Sequence, residues 1–141
     1  MVLGVMPHQQ HYLELPDASL SQRLGEFTAR ITVLAQQIKP DAIVSFDTTG
    51  FDFHADHRAS HAASLAVANN MDVDFYARLP QASQEGFALF GDPALKRRAV
   101  LQHVSQYSTD LKALTSYIGH PAMERYDLVT VSATTRQHAL I

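Results

Sequence analysis

The sequence has no cysteine and no tryptophan. Without cysteine there can be no disulfide, no thiolate metal site and no cysteine nucleophile, so any metal would have to be held by histidine and carboxylates. The lack of cysteine also fits a reducing compartment. An excess of positive charge is missing too. Eleven Lys and Arg against fourteen Asp and Glu give a net charge of −3, so no overall field draws the chain to phosphate backbones or anionic lipid. Neither a nucleic-acid nor a membrane partner is expected. No apolar run approaches the ~20 residues that span a bilayer, and Met1 to Val5 lack the basic start and apolar core of a secretory signal. A cytoplasmic location is the expectation. What is present is 46% hydrophobic against 18% charged residues in a chain of 141, the balance of a globular protein and the length of a single domain, 1–141. Eight histidines are the one compositional oddity.

Alternating Tyr12-Leu13-Glu14-Leu15 before Pro16-Asp17 predicts a short strand and turn. Leu20, Leu24, Phe27, Ile31, Leu34 and Ile38 advance by three or four and predict a helix ending at Lys39-Pro40. Ala42-Ile43-Val44-Ser45-Phe46 is a nearly continuous apolar run between Asp41 and Asp47, as in a parallel strand covered on both faces. Helix followed by buried strand points to an α/β fold. Residues 48–53 carry no helical period and read as a loop. A helix is then predicted from His54 or Ala55 to Asn69-Asn70, and a strand over 73–77. Residues 81–91 read as irregular. Asp92-Pro93 predicts a cap and first turn for a helix over 94–107, continuing brokenly toward Tyr117. Residues 126–131 read as a last strand and 132–141 as a tail.

The chemistry-bearing stretch is Asp47 to His61. If His54 begins the helix, His57, Arg58 and His61 follow at i+3, i+4 and i+7, so polar groups share one face while alanines pack behind. In an open α/β sheet, ligands bind where a strand's C-terminal end meets the next helix N-terminus, which is where this cluster falls. A neutral imidazole can ligate zinc through one nitrogen while a carboxylate such as Asp56 orients the other. The positive end of the helix instead favours an oxyanion or a carboxylate. The same residues are equally consistent with a solvated helix face. Arg58 is expected to pair with Asp47 or Asp52, or to contact a substrate. Lys96-Arg97-Arg98 reads as a solvated turn, and His103, His120 and His138 read as isolated positions.

Pro40-Asp41-Ala42-Ile43-Val44, then Gly50, then His54-Ala55-Asp56-His57-Arg58-Ala59 resembles the second signature of the zinc-dependent N-acetylglucosaminyl deacetylases of the PIG-L/LmbE family, His-Pro-Asp-His. Leu3 to Asp17 is similar to the stretch preceding that signature. Lys96 through His103-Val104-Ser105-Gln106 is similar to a later Lys/Ser-Gln segment, and Glu124 and Tyr126 to the Glu-x-aromatic that follows. The resemblance implies a Rossmann-like parallel sheet flanked by helices and a Zn2+ cofactor. It also implies hydrolysis of the acetamide of an N-acetylated sugar or related small-molecule amide. Carried over by position, His57 is the zinc ligand, His54 stabilises or protonates the tetrahedral intermediate, and Asp56 supports the ligand. Ala55 stands where the family has proline. The family's Ala-His-Pro-Asp-Asp-Glu string, which supplies two further ligands and the general base, does not occur in this sequence. The fold is therefore expected to be incomplete at its N-terminal strand, and the chain alone to have little or no activity. The alternative is a non-catalytic remnant that binds a ligand or partner, with copies associating through an exposed sheet edge. A third reading completes a metal set locally from His57 and His61 at i,i+4 with His8 and His11, or with Asp47 and Asp52.

Overall fold

The structure, a computed structural model, describes residues 4–80, 83–102 and 123–132, apart from the side chains at positions 51, 52 and 123. In chain order they form a 3-10 turn at Pro7–Gln9, α1 Leu24–Ile38, β1 Ala42–Phe46, α2 Gly50–Phe53, α3 Ala55–Met71, β2 Asp74–Arg78, β3 Phe87–Phe90, α4 Pro93–Val100 and β4 Met123–Thr130. The fold is mixed α/β, with a four-stranded open sheet in the order β1-β2-β4-β3. The chain divides into two compact units, one of Met1–Tyr12 with Ala88–Glu124 and one of Leu13–Phe87 with Arg125–Ile141.

The second unit carries the β1-α3-β2 crossover. Its two strands run parallel in a register that sets Ala42 beside Asp74 and Phe46 beside Arg78. Strand alternation puts Ile43 and Ser45 on one face with Phe75 and Ala77. Phe75 and Ala77 form the core with Ala68, and Ile43, Leu65 and Val73 pack around it. Small residues on the inner side of α3, Ala59, Ala63 and Ala68, are buried together with Val67, so the helix approaches both the sheet and α1 closely. Burying Phe75 and Val67 completely stabilises the unit by about 1.5–3 kcal/mol each.

The predicted apolar stripe on α1 buries Phe27 and leaves its ends, Leu24 and Ile38, exposed. The stripe runs from Leu20, but residues 20–23 form turns and the helix begins at Leu24. It ends where Lys39 takes the left-handed conformation and its amide donates to the Ala35 carbonyl, ahead of Pro40. On its outer face Glu26 accepts from Arg30 Nη2 at 2.6 Å and from Arg23 Nη1 at 3.3 Å. Arg30, then Arg23, hold the Glu26 carboxyl below its ordinary range.

Four expectations are corrected. β1 is not covered on both faces: it stands at the end of the sheet, and Val44 is 60% exposed. An uninterrupted apolar run does not reveal whether a second layer lies over it. The parallel arrangement holds for β1 and β2, but β4 is antiparallel to β2, pairing Tyr76 with Leu128 and Arg78 with Tyr126. The alternation of strand and helix, from which parallel order was read, stops after β2, because β3 follows it without a helix between. Tyr12 to Leu15 form no strand, and the 81–91 stretch, read as irregular, contains β3. At the start of β3, Gly86 has φ +68°, and a Cβ there would lie 2.2 Å from the Tyr126 carbonyl oxygen. Only glycine fits so close to a neighbouring backbone.

In the first unit Asp92 caps α4, accepting from the Ala94 and Leu95 amides at 2.8 and 3.3 Å, with Pro93 in the first turn. Arg97 and Arg98 are exposed, as a solvated turn requires, and Lys96 lies 3.6 Å from Glu124. The expected continuation of this helix beyond residue 102, the segment with Val104, Ser105 and Gln106, residues His103, His120 and His138, and the tail from 133 lie outside the described residues. Among the described residues no helix is long and apolar enough to cross a membrane.

Candidate functional site

The site grows from the C-terminal end of β1. Asp47 continues the ladder, its amide donating to the Arg78 carbonyl at 3.2 Å. Its buried carboxylate accepts from Thr49 Oγ1, and the Gly50 amide returns to the Asp47 carbonyl at 3.0 Å. This turn delivers the chain into α2, a four-residue helix over a stretch that lacks helical periodicity. Gly50 has φ +71°, and a Cβ there would lie 2.8 Å from Arg58 Cγ and 3.1 Å from His57 Cβ. The turn therefore packs directly under the first turn of α3.

Phe53 ends α2 at φ +64°. A left-handed backbone costs a residue with a side chain about 1–2 kcal/mol. Of the four other non-glycine residues with positive φ, Glu14 and Ala18 lie in the segment before α1, and Lys39 and Asp72 are helix C-caps, where that conformation is common. The Phe53 ring gains little from burial, since the residue is 77% exposed.

His54 is the N-cap of α3. Its backbone is extended, and its ring Nδ1 accepts the Asp56 amide at 3.2 Å. Because Nδ1 accepts, the proton of the neutral ring sits on Nε2. His57, half-buried one turn on, has the opposite tautomer. Its Nδ1 lies 3.0 Å from the Gly50 carbonyl, which can only accept, so Nδ1 carries the proton and Nε2 the lone pair. The His57 ring stacks on Phe46 at 4.0 Å and 10°, which fixes its plane. The rings of His54 and His57 lie 4.8 Å apart, tilted by 38°. The structure thus brings together two imidazoles of opposite tautomer.

His61, one turn beyond His57 on α3, has a different role. It is buried, its Nδ1 donates to the Phe46 carbonyl at 2.8 Å, and its ring meets Phe75 edge-on at 5.5 Å. It clamps helix to strand. Asp56 does not orient His57. It is buried, and its Oδ1 accepts the Leu20 amide at 3.0 Å, tying the segment before α1 to the first turn of α3. The Gly50 carbonyl holds the ring that a carboxylate was expected to hold. Arg58 is exposed and forms no ion pair among the described residues, so the expected pairing with Asp47 is not made, and the expected pairing with Asp52 falls on a side chain outside the described residues. His8 and His11 are exposed and belong to the other unit.

A catalytic zinc keeps three protein ligands and an open position. His57 Nε2 suits one of them. Among the described residues no group of three His, Asp or Glu side chains converges to hold a metal, so these residues do not complete a zinc site by themselves. The sequence located the histidines but missed the groups that set their tautomers. Gly50 in its Thr-Thr-Gly loop and Phe46 at the strand end were visible signals, whereas the Leu20–Asp56 tether had none. No protein-family model, curated protein or solved structure matches the chain.

Proposed function

We propose that the chain forms the His54–His57 side of a zinc-dependent deacetylase centre of the PIG-L/LmbE type. Its substrate class is the acetamide of an N-acetylglucosamine-like sugar or a related small-molecule amide. The observation that carries this reading is the opposite tautomers of the two adjacent rings. The resemblance assigns metal binding to His57 and oxyanion stabilisation to His54, and each neutral ring suits its role: a lone pair for a ligand, an N–H for an oxyanion. A Rossmann-like sheet with a further strand beyond β1, and a cytoplasmic location, belong to the same reading.

Zinc, with its other ligands drawn from outside the described residues, supplies an electrophile and an acidified water when bound. This chain's own residues do something narrower. As water adds to the acetamide carbon, its proton goes to the general base that the family's Ala-His-Pro-Asp-Asp-Glu string supplies, the carbonyl oxygen gains charge, and His54 Nε2–H donates to it. That proton then passes to the nitrogen as the C–N bond breaks, leaving acetate and the free amine. Phe46 and Gly50 hold the His57 ring against rotation, so its Nε2 keeps one direction, and Asp56 fixes the turn that carries both rings.

Calorimetric titration with zinc tests this, run with and without a peptide carrying Ala-His-Pro-Asp-Asp-Glu. The expected result is zinc uptake with the peptide that His57→Ala abolishes. Zinc uptake unaffected by His57→Ala, or none in either case, overturns the reading.

The sheet edge favours a second reading, a non-catalytic module that associates through β1. Ala42 to Phe46 contain none of the charges or prolines that blunt an exposed edge. A dimer in size-exclusion chromatography that Val44→Lys dissociates would support it, and a monomer at every concentration would exclude it.

A further inference from the structure

His61 is buried on α3 and donates from Nδ1 to the Phe46 carbonyl at 2.8 Å. The same Phe46 lays its ring flat on His57, with centroids 4.0 Å apart and planes at 10°. One residue at the end of β1 is therefore gripped twice by α3, through its main chain by His61 and through its side chain by His57. The Gly50 carbonyl fixes one point of the His57 ring, its Nδ1, but a single hydrogen bond does not fix a plane. Phe46 supplies the plane. Phe46 is the last residue of β1 in register with β2, opposite Arg78, and strand ends are where a ladder opens most readily. An apolar side chain would pack beside Phe75 at no polar cost, whereas a buried imidazole must place its N–H. At His61 that N–H goes to the carbonyl of the residue that stacks on His57.

We infer that His61 is a positioning residue for His57: by fixing the Phe46 carbonyl it holds the Phe46 ring flat against the His57 imidazole and so keeps His57 Nε2 in one direction. The inference rests on the zinc-ligand role proposed for His57 and deepens it, because groups that orient a ligand imidazole help to set its affinity. His61 acts through Phe46 and is not itself a ligand.

NMR shifts of the His57 ring protons in the metal-free protein test this, because a ring stacked flat on Phe46 is shifted upfield by it. His61→Phe and His61→Leu remove the donor while keeping bulk beside Phe75; His61→Asn keeps a donor N–H and gives up the ring. The expected result is loss of the upfield shift in the Phe and Leu variants and its retention in His61→Asn, although the Asn variant, with a cavity beside Phe75, has the lower thermal midpoint. A merely structural role would make the His57 shifts follow the midpoints. With the Ala-His-Pro-Asp-Asp-Glu peptide present, zinc affinity should fall about tenfold in the two donor-free variants and be rescued by His61→Asn. Wild-type His57 shifts in whichever donor-free variant folds would mean that the strand ladder alone holds Phe46; the inference then falls while the zinc reading stands. If the shifts are lost as expected but the wild type takes up no zinc, the hold of His61 on the ring is upheld and the zinc reading falls.

Discussion

Replacing Gly50 with alanine should destabilise the protein and disturb His57 together. The added Cβ would lie 2.8 Å from Arg58 Cγ, 3.0 Å from the Arg58 amide nitrogen and 3.1 Å from His57 Cβ. Arg58 Cγ belongs to a flexible exposed side chain and can move; the helix backbone and His57 Cβ cannot move without shifting the first turn of α3. The left-handed φ costs alanine about 1 kcal/mol, and overpacking against fixed atoms typically adds about 1–3 kcal/mol. A total of about 2–4 kcal/mol corresponds to a fall of roughly 10 °C in the thermal midpoint of a domain this size. Circular dichroism during thermal and urea unfolding measures it. Gly25→Ala is the internal control: nothing lies within 4 Å of a Cβ there and the residue is helical, so a gain of about 0.5 kcal/mol is expected. The Nδ1–H resonance of His57 should weaken in Gly50→Ala as the Gly50 carbonyl moves. A Gly50→Ala variant with a midpoint equal to or above wild type would refute the reasoning.

His61→Ala should cost about 2–4 kcal/mol, because it leaves a cavity beside Phe75 and strands the Phe46 carbonyl; urea unfolding checks this. Asp56→Ala should cost about 1–3 kcal/mol by leaving the Leu20 amide unpaired, while Asp56→Asn, which keeps an acceptor oxygen, should cost less. Glu26 titrates below its ordinary value of 4.5 through Arg30 and Arg23. The stability it adds is therefore complete above that value and is lost as pH falls through the lowered one. Glu26→Gln should flatten the acid limb of the stability profile, and salt should shrink the difference, because the pair is exposed. Gly86→Ala should be worse tolerated than Gly50→Ala, since a backbone carbonyl, not a side chain, stands 2.2 Å from its Cβ; soluble yield and thermal midpoint report it.

The sequence made α1, α3, α4 and the β1-α3-β2 crossover legible because each carries a period or a cap, whereas α2, over the stretch read as a loop, carries neither. The α1 stripe, the Ala42–Phe46 run and the Asp92-Pro93 cap all fall where their patterns place them. Strand direction and layering were not legible. Apolar content says that a strand is buried somewhere, not which face, and it misled for Val44. At the site, histidine spacing located His54 and His57, but it did not show that His61, one turn beyond His57, is buried with its Nδ1 on the Phe46 carbonyl and its ring against Phe75. What orients the rings is a carbonyl, a stacked phenylalanine and a backbone amide. Two of the three are main-chain groups common to every residue type, so no residue pattern announces them.

The central claim is that the two neighbouring imidazoles carry their protons on opposite nitrogens. Long-range nitrogen–proton correlation NMR of the histidine rings, recorded at alkaline pH, reads this without metal or substrate. The account predicts the Nδ1–H tautomer for His57 and the Nε2–H tautomer for His54. The same tautomer on both rings, or the reverse assignment, would contradict it.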